Sequence, residues 1–494
     1  MLSRRSGDLP VICPLQSVVR REGGGKYPSS AQKTMPHFFH PDLVFTEGAF
    51  RSGCGLLVKD DGWIEAVLRA EDTAAWPATR LAGKALLPGC VNAHSHSFQR
   101  LIRGRSERHS TGGDDFWSWR EAMYRAAAAV SDEDVYDVAR MTFLEMVTAG
   151  ITTVGEFHYL HRSESGAAYS DPNRLGLQVV AAAESVGLRI ALLRVAYLRA
   201  GYGLAPHAGQ ARFYESAAEY LENAAALADA LHAKSGRAWM GVAPHSIRAV
   251  PLKDLEQMAL WATEHALPIH MHAAEQPAEL AACREEYGAT PVRLLAELGL
   301  LSDAWTLVHA IHITEEEMEA MAAARTTVCA CPATERNLGD GVFDAARAAG
   351  HGIRIALGSD SQAQIDLLED ARELEYHLRL TRQKRGILDG IGGRDLSERL
   401  FGYATAGGAA ALGFDGGVLA PGYPADFFTV DLDHPSIAGA AADDLLPSLV
   451  FSLQRGTIRD VAVGGRWILR DGLHSAAEEI VARYKEIAAR VWRQ

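Results

Sequence analysis

The sequence predicts an α/β fold, a (β/α)8 barrel with a small β-sandwich formed from both chain ends. Three observations predict it. Through the middle of the chain, short apolar strand-forming runs alternate with longer helical stretches, as in stacked βα units. Both ends are instead β-rich and broken by Gly and Asp turns. Finally, nearly every candidate middle strand runs into a histidine or a carboxylate, and the ends of barrel strands are where reactive groups gather.

In chain order, residues 1–34 contain Arg4-Arg5, Arg20-Arg21 and Gly23-Gly24-Gly25 with only short apolar pieces. They lack a continuous hydrophobic segment of signal-peptide type, so the expectation is a disordered extension, or a functional start at Met35. Residues 35–87 read as short strands, such as Gly55-Leu56-Leu57-Val58 and Trp63-Ile64-Glu65-Ala66-Val67 around Asp60-Asp61-Gly62. Their expected partner is 413–474, with Ala425–Val430, Asp460–Val463 and Arg466–Leu469 as strands. Between them, residues 88–412 form the predicted barrel.

Its strands are expected near Leu86–Ala93, Thr152–Phe157, Arg189–Ala196, Trp239–Ala243, Leu267–Met271, Thr306–Val308, Thr326–Ala330 and Ile353–Leu357. Helices over Asp132–Ala149, Phe213–Lys234, Leu252–His265 and Glu315–Ala324 separate many of them. An open doubly wound sheet is the competing topology, but no Gly-x-Gly-x-x-Gly follows a strand. Residues 475–494 read as a closing helix rich in Ala and Glu.

Composition narrows the partners. At 494 residues the chain is too long for one ordinary core, and 48% hydrophobic with 22% charged residues is globular composition. A net charge of −13 argues against nucleic acid, whose phosphates need basic patches. No apolar run reaches the ~18–20 residues of a membrane span, so no membrane partner is expected. The cysteines at 13, 54, 90, 283, 329 and 331 form no CxxC pair. Scattered thiols suit a reducing, cytoplasmic setting. A homodimer is the expectation from symmetry base rates.

The chemistry concentrates at the strand ends. In Asn92-Ala93-His94-Ser95-His96, period-two alternation points both imidazoles the same way, as one metal ion requires. His272 after the fifth strand and Asp360 after the eighth complete three imidazoles and a carboxylate, a set that suits one zinc ion with a position left for water. His270 shares the face of His272 and could exchange roles with it; one step deeper, it reads as a buried, hydrogen-bonded histidine. Glu156 and His158 end the second strand. Glu275, three residues past His272, can carry protons to and from an activated water, and His309 can stabilise charge beside it. Iron or manganese would accept the same ligands.

These motifs resemble the amidohydrolase superfamily: Pro88-Gly89, then Asn92-Ala93-His94-Ser95-His96, His272 with Glu275, His309, and Gly358-Ser359-Asp360-Ser361. Within it, the chain is similar to the deiminases that act on N-formimino-L-glutamate. That likeness rests on His96-Ser97-Phe98-Gln99-Arg100, Phe116-Trp117-Ser118-Trp119-Arg120-Glu121, Glu156-Phe157-His158-Tyr159, His245-Ser246-Ile247-Arg248-Ala249-Val250 and Thr334-Glu335-Arg336-Asn337-Leu338-Gly339-Asp340-Gly341. The resemblance spans about Met35 to Gly472.

It implies one Zn2+ per chain on His94, His96, His272 and Asp360, with Glu275, His309 and Asp360 catalytic. It implies substrate contacts from Gln99, Arg120, Tyr159, His245 and Arg248. The implied activity is hydrolytic deamination of a small anionic amidine to N-formyl-L-glutamate and ammonia, in histidine degradation. Two guanidiniums from separate loops suit a dicarboxylate. Packing of Arg120 against Trp117 and Trp119 is the plain alternative for that residue. A nucleobase deaminase, a binuclear hydrolase and a non-catalytic barrel scaffold are the rival readings. The binuclear branch carries a bridging lysine on the fourth strand, and Trp239–Pro244 has none.

Overall fold

The structure is a computed structural model that describes residues 36–73, 76–105, 107, 116–205, 207–232, 234 and 236–493, without the side chains of 116–118. The expected extension over 1–34 and the alternative start at Met35 lie outside the described residues.

Eight parallel strands form the barrel in sequence order: Cys90–Ser95, Ile151–His158, Arg189–Ala196, Ala238–Pro244, Ile269–Ala273, Trp305–His309, Thr327–Ala330 and Arg354–Leu357. Nearly all their residues are buried, because an inner layer of side chains and an outer coat of helices cover both faces. The predicted helices are present as Asp132–Thr148, Ala217–His232, Leu252–Glu264 and Glu315–Ala324. The first of these starts in a capping box, with Ser131 accepting from the Asp134 N–H.

The ring closes at one place. The eighth strand meets the first through a parallel bridge between Ser95 and Asp360, where His96 N–H donates to Asp360 O and Asp360 N–H to His94 O, both at 3.0 Å. Asn92 Nδ2 reaches Ser359 Oγ across the same junction at 2.7 Å. Only glycine fits at 358, since a Cβ there would lie 2.7 Å from the His94 Cβ.

One boundary differs from expectation. Leu86-Leu87-Pro88 does not open the first barrel strand; it ends a strand of the other sheet, Ala78–Pro88. The apolar run is continuous in sequence, but Pro88 supplies no N–H and Gly89 turns where a Cβ would overlap the Thr152 side chain. Likewise Phe213 precedes its helix rather than opening it.

Both chain ends share one mixed eight-stranded sheet. Its centre is Ala78–Pro88, paired parallel to His37–Thr46 and antiparallel to Phe427–Asp431. Cys54–Val58 and Ile64–Arg69 extend it on one side, Ile458–Val463 and Arg466–Leu469 on the other. Phe39, Val44, Leu56, Ile64 and Leu86 from one end pack with Phe427 and Ala462 from the other. The closing helix, Ala477–Trp492, lies on Asp132–Thr148. Its Tyr484 hydroxyl donates to Arg100 O (3.2 Å) and its Trp492 indole to Leu101 O (3.0 Å), bracing the turn that carries Gln99.

Candidate active site

The strand ends bring His94, His96, His272 and Asp360 together, with one donor atom from each within 4.8 Å of the others. His94 Nε2 and His96 Nε2 lie 3.1 Å apart, and Asp360 Oδ1 sits 3.3 and 3.2 Å from them. Backbone carbonyls orient two of the rings: His96 Nδ1 bonds Phe157 O at 3.0 Å and His272 Nδ1 bonds His245 O at 3.1 Å. Each such bond places the ring proton on Nδ1 and leaves the Nε2 lone pair for the centre. Burial lowers the His94 pKa to about 3 and that of His272 well below the usual range, so both are neutral, the form that binds a metal. Burial disfavours charge on Asp360, but the His94 and His96 imidazoles beside it outweigh burial and hold its pKa well below the usual carboxylate range. Converging lone pairs and an anion in a buried pocket are a donor set for a divalent cation.

The backbone at this centre is strained. Asp360 has φ 45°, His309 φ 71° and Ala274 φ 55°, left-handed values that cost a non-glycine residue about 1–2 kcal/mol each. Such strain collects where side chains must be aimed. His309, only 1% exposed, points Nε2 at Glu275 Oε1 and Asp360 Oδ2, each 3.7 Å away, and Nδ1 at Glu335 Oε1, 3.3 Å away. Burial resists a charge on His309, but Glu275 and Glu335 overcome it and raise its pKa well above the ordinary value. Burial raises Glu275, and His309 opposes that. Glu275 and His309 thus face one another beside the three-histidine, one-aspartate cluster.

A cavity opens onto this centre. Of the expected metal, catalytic and substrate-contact residues, all but His94 line it. Gln99 Nε2 donates to the Tyr159 hydroxyl at 2.7 Å, and Gln99 Oε1 is buried with no hydrogen-bond partner among the described residues. The His245 ring stacks on His272, centroids 4.8 Å apart, and burial followed by Arg248 keeps it neutral. Arg120 Nε donates to the Tyr124 hydroxyl at 2.7 Å, with Tyr197 at 3.4 Å.

The other strand-end candidates turn elsewhere. His270 Nε2 bonds Ala411 O at 2.8 Å below the site. Glu156 accepts from Ser95 Oγ and the Ser97 N–H, both at 2.6 Å, and His158 Nε2 bonds Leu160 O at 2.8 Å. A second group with close donors, His309, Cys331 and Glu335, lies directly behind the first. Sequence reasoning missed Tyr197, Met123, Phe213 and Leu338 in the cavity wall. Tyr197 directly follows the third strand, so its strand-end position was a usable signal; Phe213 and Met123 carried none.

Residues 85–468 match the amidohydrolase family. Formimidoylglutamate deiminase of Pseudomonas aeruginosa is 39% identical over 84% of this chain and 91% of its own length. A 5-methylthioadenosine/S-adenosylhomocysteine deaminase of Halobacterium salinarum is 30% identical over 91% of this chain and 96% of its own. The crystal structure of an amidohydrolase from Brucella melitensis superposes with a TM-score of 0.85 at 32% identity, covering 92% of this chain and 99% of that one. With the closed barrel, the strand-end ligand cluster and a match over most of its length, the chain belongs to the amidohydrolase family.

Proposed function

We propose that this protein is a zinc-dependent deiminase that hydrolyses N-formimino-L-glutamate to N-formyl-L-glutamate and ammonia, a step of histidine breakdown. The observation that carries the reading is a single cavity with a three-histidine, one-aspartate cluster and Glu275 at its floor and two guanidiniums, Arg120 and Arg248, in its wall. The likeness to the Pseudomonas aeruginosa deiminase supports the same substrate. The competing class, a nucleoside or nucleobase amidine, draws on the Halobacterium salinarum relative. A neutral base carries no carboxylate to pair with either guanidinium and S-adenosylhomocysteine carries one, whereas formiminoglutamate carries two.

In this reading His94, His96, His272 and Asp360 hold one zinc ion, which when bound supplies Lewis-acid activation of water near neutral pH. Glu275 takes a proton from the attacking water as its oxygen bonds to the formimino carbon, then delivers it to the terminal nitrogen. That C–N bond breaks, and both water protons leave with the nitrogen as ammonia. His309, held cationic by its neighbours, offsets negative charge building on the oxygen. Arg248 and Arg120 grip the two carboxylates, while Gln99, Tyr159 and His245 fix the formimino end.

Ammonia release tests this directly. Purified protein should act on formiminoglutamate and leave guanine, cytosine and S-adenosylhomocysteine unchanged; the reverse pattern would replace the reading with the nucleoside one. Metal analysis should find one zinc per chain rather than iron or manganese. Among the described residues no helix is long and apolar enough to cross a membrane. We further propose a cytoplasmic homodimer, with its sheet domain divided from the barrel at 87/88 and 412/413; light scattering would measure the assembly.

A further inference from the structure

Behind His309, Glu335 does not line the cavity. Glu335 is 2% exposed on the short helix Pro332–Leu338, and its Oε1 sits 3.3 Å from His309 Nδ1. The same oxygen accepts the Cys331 N–H at 2.8 Å, which pins the carboxylate to the start of its own helix. His309 needs such an anchor. It and Ala310 adopt consecutive left-handed conformations, φ 71° and 49°, so the strand gives the ring no regular seat. With Nδ1 engaged by Glu335, the remaining nitrogen is held toward Glu275 Oε1 and Asp360 Oδ2, at 3.7 Å from each.

We propose that Glu335 is a positioning residue: it accepts the Nδ1–H of His309 and so fixes the angle at which Nε2 meets Glu275 and the reacting atoms. A carboxylate that orients a histidine contributes through that histidine alone. Its helix-capping bond to Cys331 is the competing explanation, and it predicts a loss independent of His309. The kinetic side of the proposal rests on the hydrolytic reading; the geometric side does not.

The test uses full-length, zinc-loaded protein. Glu335→Leu removes the acceptor at similar size, Glu335→Asp withdraws it by one methylene, and Glu335→Gln keeps an oxygen that can accept both bonds. A crystal structure of the Leu or Asp variant should show the His309 ring turned from Glu275. A ring left in place overturns the proposal whatever the substrate. On whichever amidine the wild type hydrolyses, the Leu and Asp variants should lose about 10- to 100-fold in kcat. KM should stay within about threefold and zinc at one per chain, and Gln should restore most of the rate. In a His309→Ala background the same changes should cost little more; losses that multiply would assign Glu335 to capping instead. A second zinc that departs with Glu335→Leu would make this glutamate a ligand and overturn the proposal.

Discussion

Replacing Arg248 by Met removes the guanidinium and keeps most of the stem. Arg248 projects from the loop after the fourth barrel strand into the cavity, beside a His245 ring that burial and Arg248 itself keep neutral. If it grips a substrate carboxylate, the lost fork of charge-assisted bonds is worth about 2–5 kcal/mol. The residue is half-buried, not sealed, so the lower part of that range applies. About 2–3 kcal/mol, at 1.36 kcal/mol per decade, is about a 30- to 160-fold fall in kcat/KM. A carboxylate remote from the reacting carbon is held equally in ground and transition states, so the loss should appear in KM with kcat nearly constant. Steady-state ammonia release measures both. A simple N-alkylformamidine, which has no carboxylate to lose, should be hydrolysed equally by wild type and Arg248→Met. A change of less than threefold on formiminoglutamate, or an equal loss on the alkylformamidine, would refute the carboxylate-anchor role.

Glu275→Gln should lower kcat by about 10²–10⁴-fold while bound zinc, read by elemental analysis, is unchanged, because a proton carrier is lost and no ligand is. Gly358→Ala should lower metal content and activity together, since the new methyl must displace His94. Away from the site, the buried Arg194 grips Glu215 with two bonds of 2.6 and 2.8 Å. Burial pushes Glu215 up, but His161 and Arg194 outweigh it and pull its pKa down to about 2. A carboxyl depressed in the fold contributes stability above its unfolded value near 4.5 and loses it as pH falls toward 2, a contribution of about 3 kcal/mol. Urea titrations should therefore find Glu215→Gln less stable by about that amount at pH 7, with the gap to wild type narrowing below pH 4.5.

How much was legible depended on whether the signal was local. His94 and His96 could be paired from strand periodicity alone, and His272 and Asp360 from their places after later strands. The three-dimensional step, that Asp360 lands 3.2–3.3 Å from both imidazoles, follows from ring closure, which no window of sequence contains. Gln99, Arg120 and Tyr159 were reached through resemblance to known deiminases, since a lone Gln or Tyr in a loop carries no spacing signature. Glu335 lay inside a quoted motif, yet its bond to His309 spans 26 residues and two elements. The Leu86–Pro88 boundary was misplaced because one unbroken apolar run serves two sheets, and only the crowding at Gly89 divides it.

The seam between the first and last barrel strands bears on how the protein is made. Asn92 and Ser359, which bond across it, are 267 residues apart, and the ligands divide in the same way, two histidines on the early edge and the aspartate on the late one. A nascent chain still short of the eighth strand has the histidines but not the carboxylate, and its Ser95 edge has no partner. Loop-closure entropy rises only slowly with such a span, so this docking is thermodynamically cheap, though it cannot precede synthesis of the eighth strand. Completion of the four-residue donor set and closure of the barrel ring are thus one event.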